Sequence, residues 1–200
     1  MERKNSTSLD VRKLTYLAML TAIVVVLQFL GSFIKLGMFS VSLVLVPIVV
    51  GAAICGPLAG LWLGLVFGIV VLASGDAAAF FAVHEIGTVV TVILKGTIAG
   101  LVSGLVYKLF EKKNKYVAVF SSAVVCPIVN TGIFLLGCLV FFMETITGWG
   151  AALGYESAGA YMILGLAGGN FLFELLFNIF LGPVIVTLIG IAPKLAGKRK

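Results

Sequence analysis

Charge is what this chain has least of. Asp, Glu, Lys and Arg make up 11% of its 200 residues, whereas a soluble chain carries roughly a quarter. That shortfall excludes a soluble globular domain. Cysteine is scarce as well: Cys55, Cys126 and Cys138 all lie in apolar segments, and an odd number with none in an evident outer loop gives no disulfide framework. Histidine occurs once, as His84, and without a Cys-x-x-Cys pair or a Cys/His cluster no metal site is expected. Also missing are a Walker A sequence, Gly-x-Ser-x-Gly, His-Glu-x-x-His and a basic–aromatic nucleic-acid surface. The chain itself is therefore not expected to hydrolyse ATP, to act as an enzyme or to carry a cofactor. No signal peptide is read at the N-terminus, because the first apolar run is too long and no small-residue cleavage site follows it.

What is present in quantity is apolar length. Hydrophobic residues make up 61% and the mean hydropathy is +1.20, values of a polytopic membrane protein. The expectation is one all-α integral-membrane domain over residues 1–200, with six transmembrane helices near 14–34, 41–55, 58–73, 86–110, 116–143 and 161–191. Pro47 predicts a tilt or kink in the second, and Gly56-Pro57 a tight turn after it. Gly56, Gly60, Gly64 and Gly68 recur every fourth residue, as do Gly96, Gly100 and Gly104; such stripes let helix backbones approach closely. The isoelectric point near 9.3 reflects topology rather than phosphate binding. Of 14 Lys and Arg, four precede the first span, four lie in the Lys108–Lys115 turn and four end the chain. By the positive-inside rule that side is cytoplasmic, with both termini. The connections at 31–40, 74–85 and 144–160 then face outward.

The stretch from Ile86 to Phe110 organises the rest. It is long enough to span a bilayer, yet it carries Lys95 about a third of the way in. A charge at that depth costs at least ~2.5–3.5 kcal/mol on insertion scales, so it should face the protein interior. Counting ~1.5 Å per helical residue inward from the outer ends, Lys95, Asn130 and Glu174 reach similar depths. Asn170 and Asn178 stand one turn to either side of Glu174. Two readings are open: a solute site built from Lys95, Asn130, Asn170 and Glu174, or a structural Lys95–Glu174 ion pair with asparagines bonding between helices. His84-Glu85 either caps the fourth span or borders the pocket. Trp149, Tyr155 and Tyr161 form an interfacial aromatic belt or cover the pocket mouth, so His84, Glu85, Trp149 and Tyr155 are candidate rim residues.

Six spans in 200 residues, Ala-x-x-x-Ala early in the first (Ala18, Ala22), a Gly-Pro-Leu-Ala-Gly turn opening the glycine-rich third, and a fourth ending Gly-Leu-Val-Tyr-Lys occur together. The combination resembles the substrate-binding S components of energy-coupling factor (ECF) vitamin transporters over essentially the whole chain. The resemblance implies a binding subunit in the cytoplasmic membrane of a prokaryote. It implies a water-soluble vitamin or related micronutrient as substrate, and an ECF transmembrane coupling subunit with two ATPases as partners. It also assigns Ala18 and Ala22 to contact with the coupling subunit, and the substrate to spans four to six beneath outer loops. For the ligand, Lys95 suits a carboxylate such as that of pantothenate, and Glu174 suits a donor-rich heterocycle such as a flavin, pterin or deazapurine; pantothenate and riboflavin-like solutes are the leading expectations. The competing classes are a self-sufficient ion-coupled carrier using Lys95–Glu174 and a small membrane-embedded enzyme using His84 with Glu85 or Glu174.

Overall fold

The computed structural model describes residues 3–33, 35–36, 39–40 and 42–197. In chain order these form α1 (Arg3–Gly31), a hairpin of β1 (Lys35–Leu36) and β2 (Phe39–Ser40), α2 (Leu45–Cys55), α3 (Pro57–Ala73) and α4 (Ala78–Phe81). There follow α5 (Glu85–Phe110), α6 (Lys115–Phe141), α7 (Met143–Ala152), α8 (Ala158–Ala160), a π-helical stretch (Tyr161–Gly168), α9 (Gly169–Phe180) and α10 (Gly182–Gly197). The hairpin, with Lys35 opposite Ser40 and Leu36 opposite Phe39, is the one departure from an all-helical chain among the described residues. Among the described residues, four helical stretches are long and apolar enough to cross a bilayer: Val11–Gly31, Glu85–Phe110, Lys115–Phe141 and Ala158–Phe180. The α2 and α3 helices are shorter and apolar.

Three local expectations are corrected. Pro47 falls in the first turn of α2, where a missing N–H costs nothing, so it starts a helix rather than kinking one. The connections expected as loops at 74–85 and 144–160 contain the helices α4 and α7. The sixth run, expected as one span over 161–191, breaks at Leu181 and resumes as α10, with Pro183 inside the new first turn, its favoured place. The Gly56-Pro57 turn is found as expected. Gly56 takes φ 102°, a region open to glycine, and Pro57 begins α3.

The closest packing joins α3 to α5, which run antiparallel. A methyl group added to Gly60 would strike the carbonyl of Gly100, and one added to Gly64 the carbonyl of Gly96. At Gly68 it would lie 3.0 Å from the Val92 carbonyl, and at Gly104 2.6 Å from Pro57 Cα. Both glycine stripes thus meet in one seam. In lipid there is little hydrophobic gain in joining two helices, and close backbone approach supplies the attraction instead. Polar bonding extends the assembly from α5 to α6: the Ser103 and Ser122 hydroxyls lie 2.8 Å apart, and Ser122 Oγ donates to the Ser103 carbonyl at 3.0 Å. The core gathers around Phe67, Leu45, Ile48 and Leu63, with Ile185 of α10 reaching into it. A second apolar cluster, Phe80, Phe142, Ile146, Tyr161, Met162 and Leu166, ties α4, α6, α7 and the π-helical stretch together at the other end.

Candidate functional site

Between these clusters lies a cavity of about 50 Å³ whose wall includes Lys95, Asn130, Asn170 and Glu174. The α5 seam fixes Lys95, whose neighbour Gly96 is pressed on Gly64. Its ammonium lies 5.7 Å from the ring centre of Phe67 and 5.5 Å from that of Phe134, within the range of a cation–π attraction. From α6 come Asn130, Thr131 and Phe134, one turn beyond Pro127. From α9 come Asn170, Phe171 and Glu174; Asn170 and Glu174 stand one turn apart on the same face.

Glu174 is 5% exposed and is held from several sides. Ser42 donates its backbone N–H to Glu174 Oε1 at 3.3 Å. The Ser42 hydroxyl and the Asn130 amide are also within hydrogen-bonding reach of the carboxylate. Asn178 Nδ2 donates to the Glu174 main-chain carbonyl at 2.8 Å, so Asn178 braces the helix and does not line the cavity. Lys95 and Glu174 interact through space, not through a hydrogen bond, and Asp76 is the ammonium's second acidic neighbour. A second chamber of about 30 Å³ shares Val71, Asp76, Lys95 and Phe134 with the first and adds Phe80, Thr88, Thr91 and Phe142. Lys95 and Phe134 therefore stand at the junction of two chambers.

Buried acceptors are left over. Oδ1 of Asn130, 4% exposed, and Oδ1 of Asn170, 8% exposed, have no protein partner, nor does Thr91 Oγ1. The same holds for Gln28 Oε1 and Asn178 Oδ1, which belong to neither chamber's wall. An unsatisfied buried polar atom costs about 1–3 kcal/mol, and three of these five belong to residues that line the two chambers.

The remaining candidates lie elsewhere. His84 is the N-cap of α5: its Nδ1 accepts from the Gly87 N–H at 2.9 Å and its carbonyl accepts from Thr88 Oγ1. Glu85 is exposed in the first turn, where a negative charge complements the helix dipole. Neither lines the two chambers. Trp149 packs edge-on against Phe80 at 5.4 Å, which does line the second, and Tyr155 leans on Tyr161 at 5.1 Å. Ala18 and Ala22 are exposed on the outer side of α1. Among the described residues no three His, Cys, Asp or Glu side chains gather as a metal-binding group. Several contributors went unread in the sequence, among them Asp76, Phe134 and Phe171 on the walls, Ser42 and Gln28. Ser42 acts through its main-chain N–H as well as its hydroxyl, and the main-chain part leaves no residue signature. Gln28, 1% exposed, donates to Asp76 Oδ2 at 3.5 Å; its signature is a lone glutamine in an otherwise apolar run.

No curated protein and no solved structure matches the chain. A family model does, over residues 12–193, that of the ECF transporter substrate-specific component. With a match over nearly all of its length, and with a buried polar cavity among apolar helices, the chain belongs to the substrate-specific components of ECF transporters.

Proposed function

We propose that the protein is the membrane-embedded, high-affinity binding subunit of an ECF-type ABC importer for a water-soluble vitamin or related micronutrient. The observation that carries the reading is the shared cavity: four polar residues from three separate helices meet in one buried space with acceptors unsatisfied. The solute occupies that cavity, in contact with Lys95, Asn130, Asn170 and Glu174. Pantothenate and riboflavin represent the two ligand chemistries that these groups suit. Phe134, common to both chambers, is the side chain whose rotation would join them around a solute of vitamin size. Six spans place both termini at the cytoplasmic face of a prokaryotic cell membrane. Ala18 and Ala22 meet the coupling subunit, which works with two ATPases; their exposure on α1 supports this, since small residues there let another backbone come close.

The test is reconstitution in vesicles. The chain alone should bind solute and accumulate none, and should accumulate it when the coupling subunit, both ATPase subunits and ATP are present. Ala18→Trp and Ala22→Trp should leave binding by the isolated chain nearly unchanged while abolishing uptake by the assembly. Accumulation without ATP would instead establish an ion-coupled carrier, and normal uptake by both tryptophan variants would remove α1 as the docking face.

A further inference from the structure

Resting on that reading, we infer that the ligand is a planar, uncharged or cationic heterocycle presenting N–H donors to Glu174, Asn130 and Asn170, and not a carboxylate. The leftover chemistry of the cavity is one-sided. Among the described residues its wall holds two acidic side chains, Asp76 and Glu174, and one amine, Lys95, and both acidic groups act on that amine. A ligand carboxylate would add a third acidic group to a wall whose described residues supply one amine, in surroundings that screen charge poorly.

The amides point the same way. Asn130 lies within reach of Glu174, and its buried Oδ1 has no protein partner. Asn170 likewise has its Oδ1 unpaired. An asparagine oxygen accepts and cannot donate, so both call for N–H or O–H groups on the ligand. Thr91 Oγ1, unpaired in the second chamber, can serve either way. Phe134 and Phe171, on the wall of the first chamber, supply apolar faces of the kind that pack against a flat ring. A ring with an amino group or ring N–H edge answers the acceptors and the aromatic walls together; a flexible acyclic acid such as pantothenate has donors for the acceptors but no flat face for the aromatic walls, and adds a further carboxylate.

The experiment is equilibrium binding to the purified full chain in lipid nanodiscs, with pterin and riboflavin as the donor-bearing rings and pantothenate as the carboxylate. It is paired with mass spectrometry of the small molecule released when the purified protein is denatured. At least one ring should bind 100-fold or more tightly than pantothenate. Methylating the ring N–H of that probe, or making Glu174→Gln, should weaken it tenfold or more; the methylated probe gives its answer even if the variant does not fold. Tighter binding of pantothenate, or release of a carboxylate lacking any N–H ring, would overturn the ligand class while leaving a solute-binding subunit in place. An unchanged affinity for the methylated probe would overturn it too. If nothing is released and none of the three probes binds, the inference falls, while the reconstituted uptake assay decides the binding-subunit reading separately.

Discussion

At the scale of single residues, the question is what Lys95 and Glu174 do to each other. They face one another across a cavity without a hydrogen bond, and Lys95 is also cradled by Phe67 and Phe134. A structural ion pair in contact would be expected to collapse when either partner is removed, since breaking a buried pair costs ~3–5 kcal/mol. A through-space arrangement predicts less. In a double-mutant cycle of Lys95→Met and Glu174→Gln, read by thermal melting, the coupling should lie toward the low end of the ~0.5–3 kcal/mol found for interacting residues. Full recovery of stability in the double variant, with a coupling near 3 kcal/mol, would make the pair structural. These two residues were legible in the sequence because an ionisable group within an apolar run has to be accounted for. The same logic exposed Asn130 and Asn170. It does not reach Ser42, whose contribution includes a main-chain N–H, nor does it decide the task of His84. One residue type at a helix boundary serves equally as a cap or as a pocket wall, and only the Gly87 hydrogen bond separates the two.

At the scale of elements, the α3–α5 seam is the feature most directly written in the residues. Two runs of glycine four apart can meet only if the helices are in register, and here Gly60 opposes Gly100 and Gly64 opposes Gly96, backbone to backbone. Because the obstructing atoms are carbonyls and not the ends of flexible side chains, a methyl group cannot be absorbed by a rotamer change. Gly64→Ala and Gly100→Ala should each destabilise the protein by about 1–3 kcal/mol or more, the cost of overpacking. Gly132→Ala in α6, where an added methyl meets nothing within 4 Å, should be neutral or slightly stabilising, as alanine is the better helix former. Equal melting temperatures for all three variants in the same detergent would refute the seam. The break at Leu181 shows where such reading stops. Gly56-Pro57 and Gly182-Pro183 look alike in sequence, but Gly56 adopts a positive φ and Gly182 does not. At the first, the chain turns sharply into a new helix; at the second, it pauses for one residue and continues. Apolar composition is the same on both sides of Leu181, so hydropathy carries no trace of the interruption.

At the scale of the whole molecule, the two ends differ in chemistry. One end brings together Lys13 before the first span, Cys55, Gly56 and Pro57 at the α2–α3 turn, and Tyr107, Lys108 and Glu111 at the end of α5, all around one depression. Lys115 extends this end toward α10, its ammonium 3.4 Å from where a side chain on Gly190 would begin. The opposite end carries Ser42, Asp76 and the Phe80–Trp149 contact, with the cavity just beneath. Basic residues separated by many tens of positions thus share one end, which is the arrangement that fixes orientation when a chain inserts: positive segments are retained in the cytoplasm. The last three basic residues, Lys198, Arg199 and Lys200, lie outside the described residues. Orientation follows as a testable statement. In a background with Cys55 replaced by alanine and the buried Cys126 and Cys138 kept, Lys112→Cys should react with a membrane-impermeant thiol reagent only in inverted vesicles, and Tyr155→Cys only in intact cells. Tyr155 is partly exposed in the connection after α7 and Lys112 is exposed between α5 and α6, so either thiol is reachable wherever its end meets water. Labelling of both from the same side would sink the six-span arrangement. Labelling of Lys112→Cys from outside and Tyr155→Cys from inside would invert the molecule, placing the Ser42–Asp76 end of the cavity in the cytoplasm and leaving a binding site with no extracellular substrate to bind.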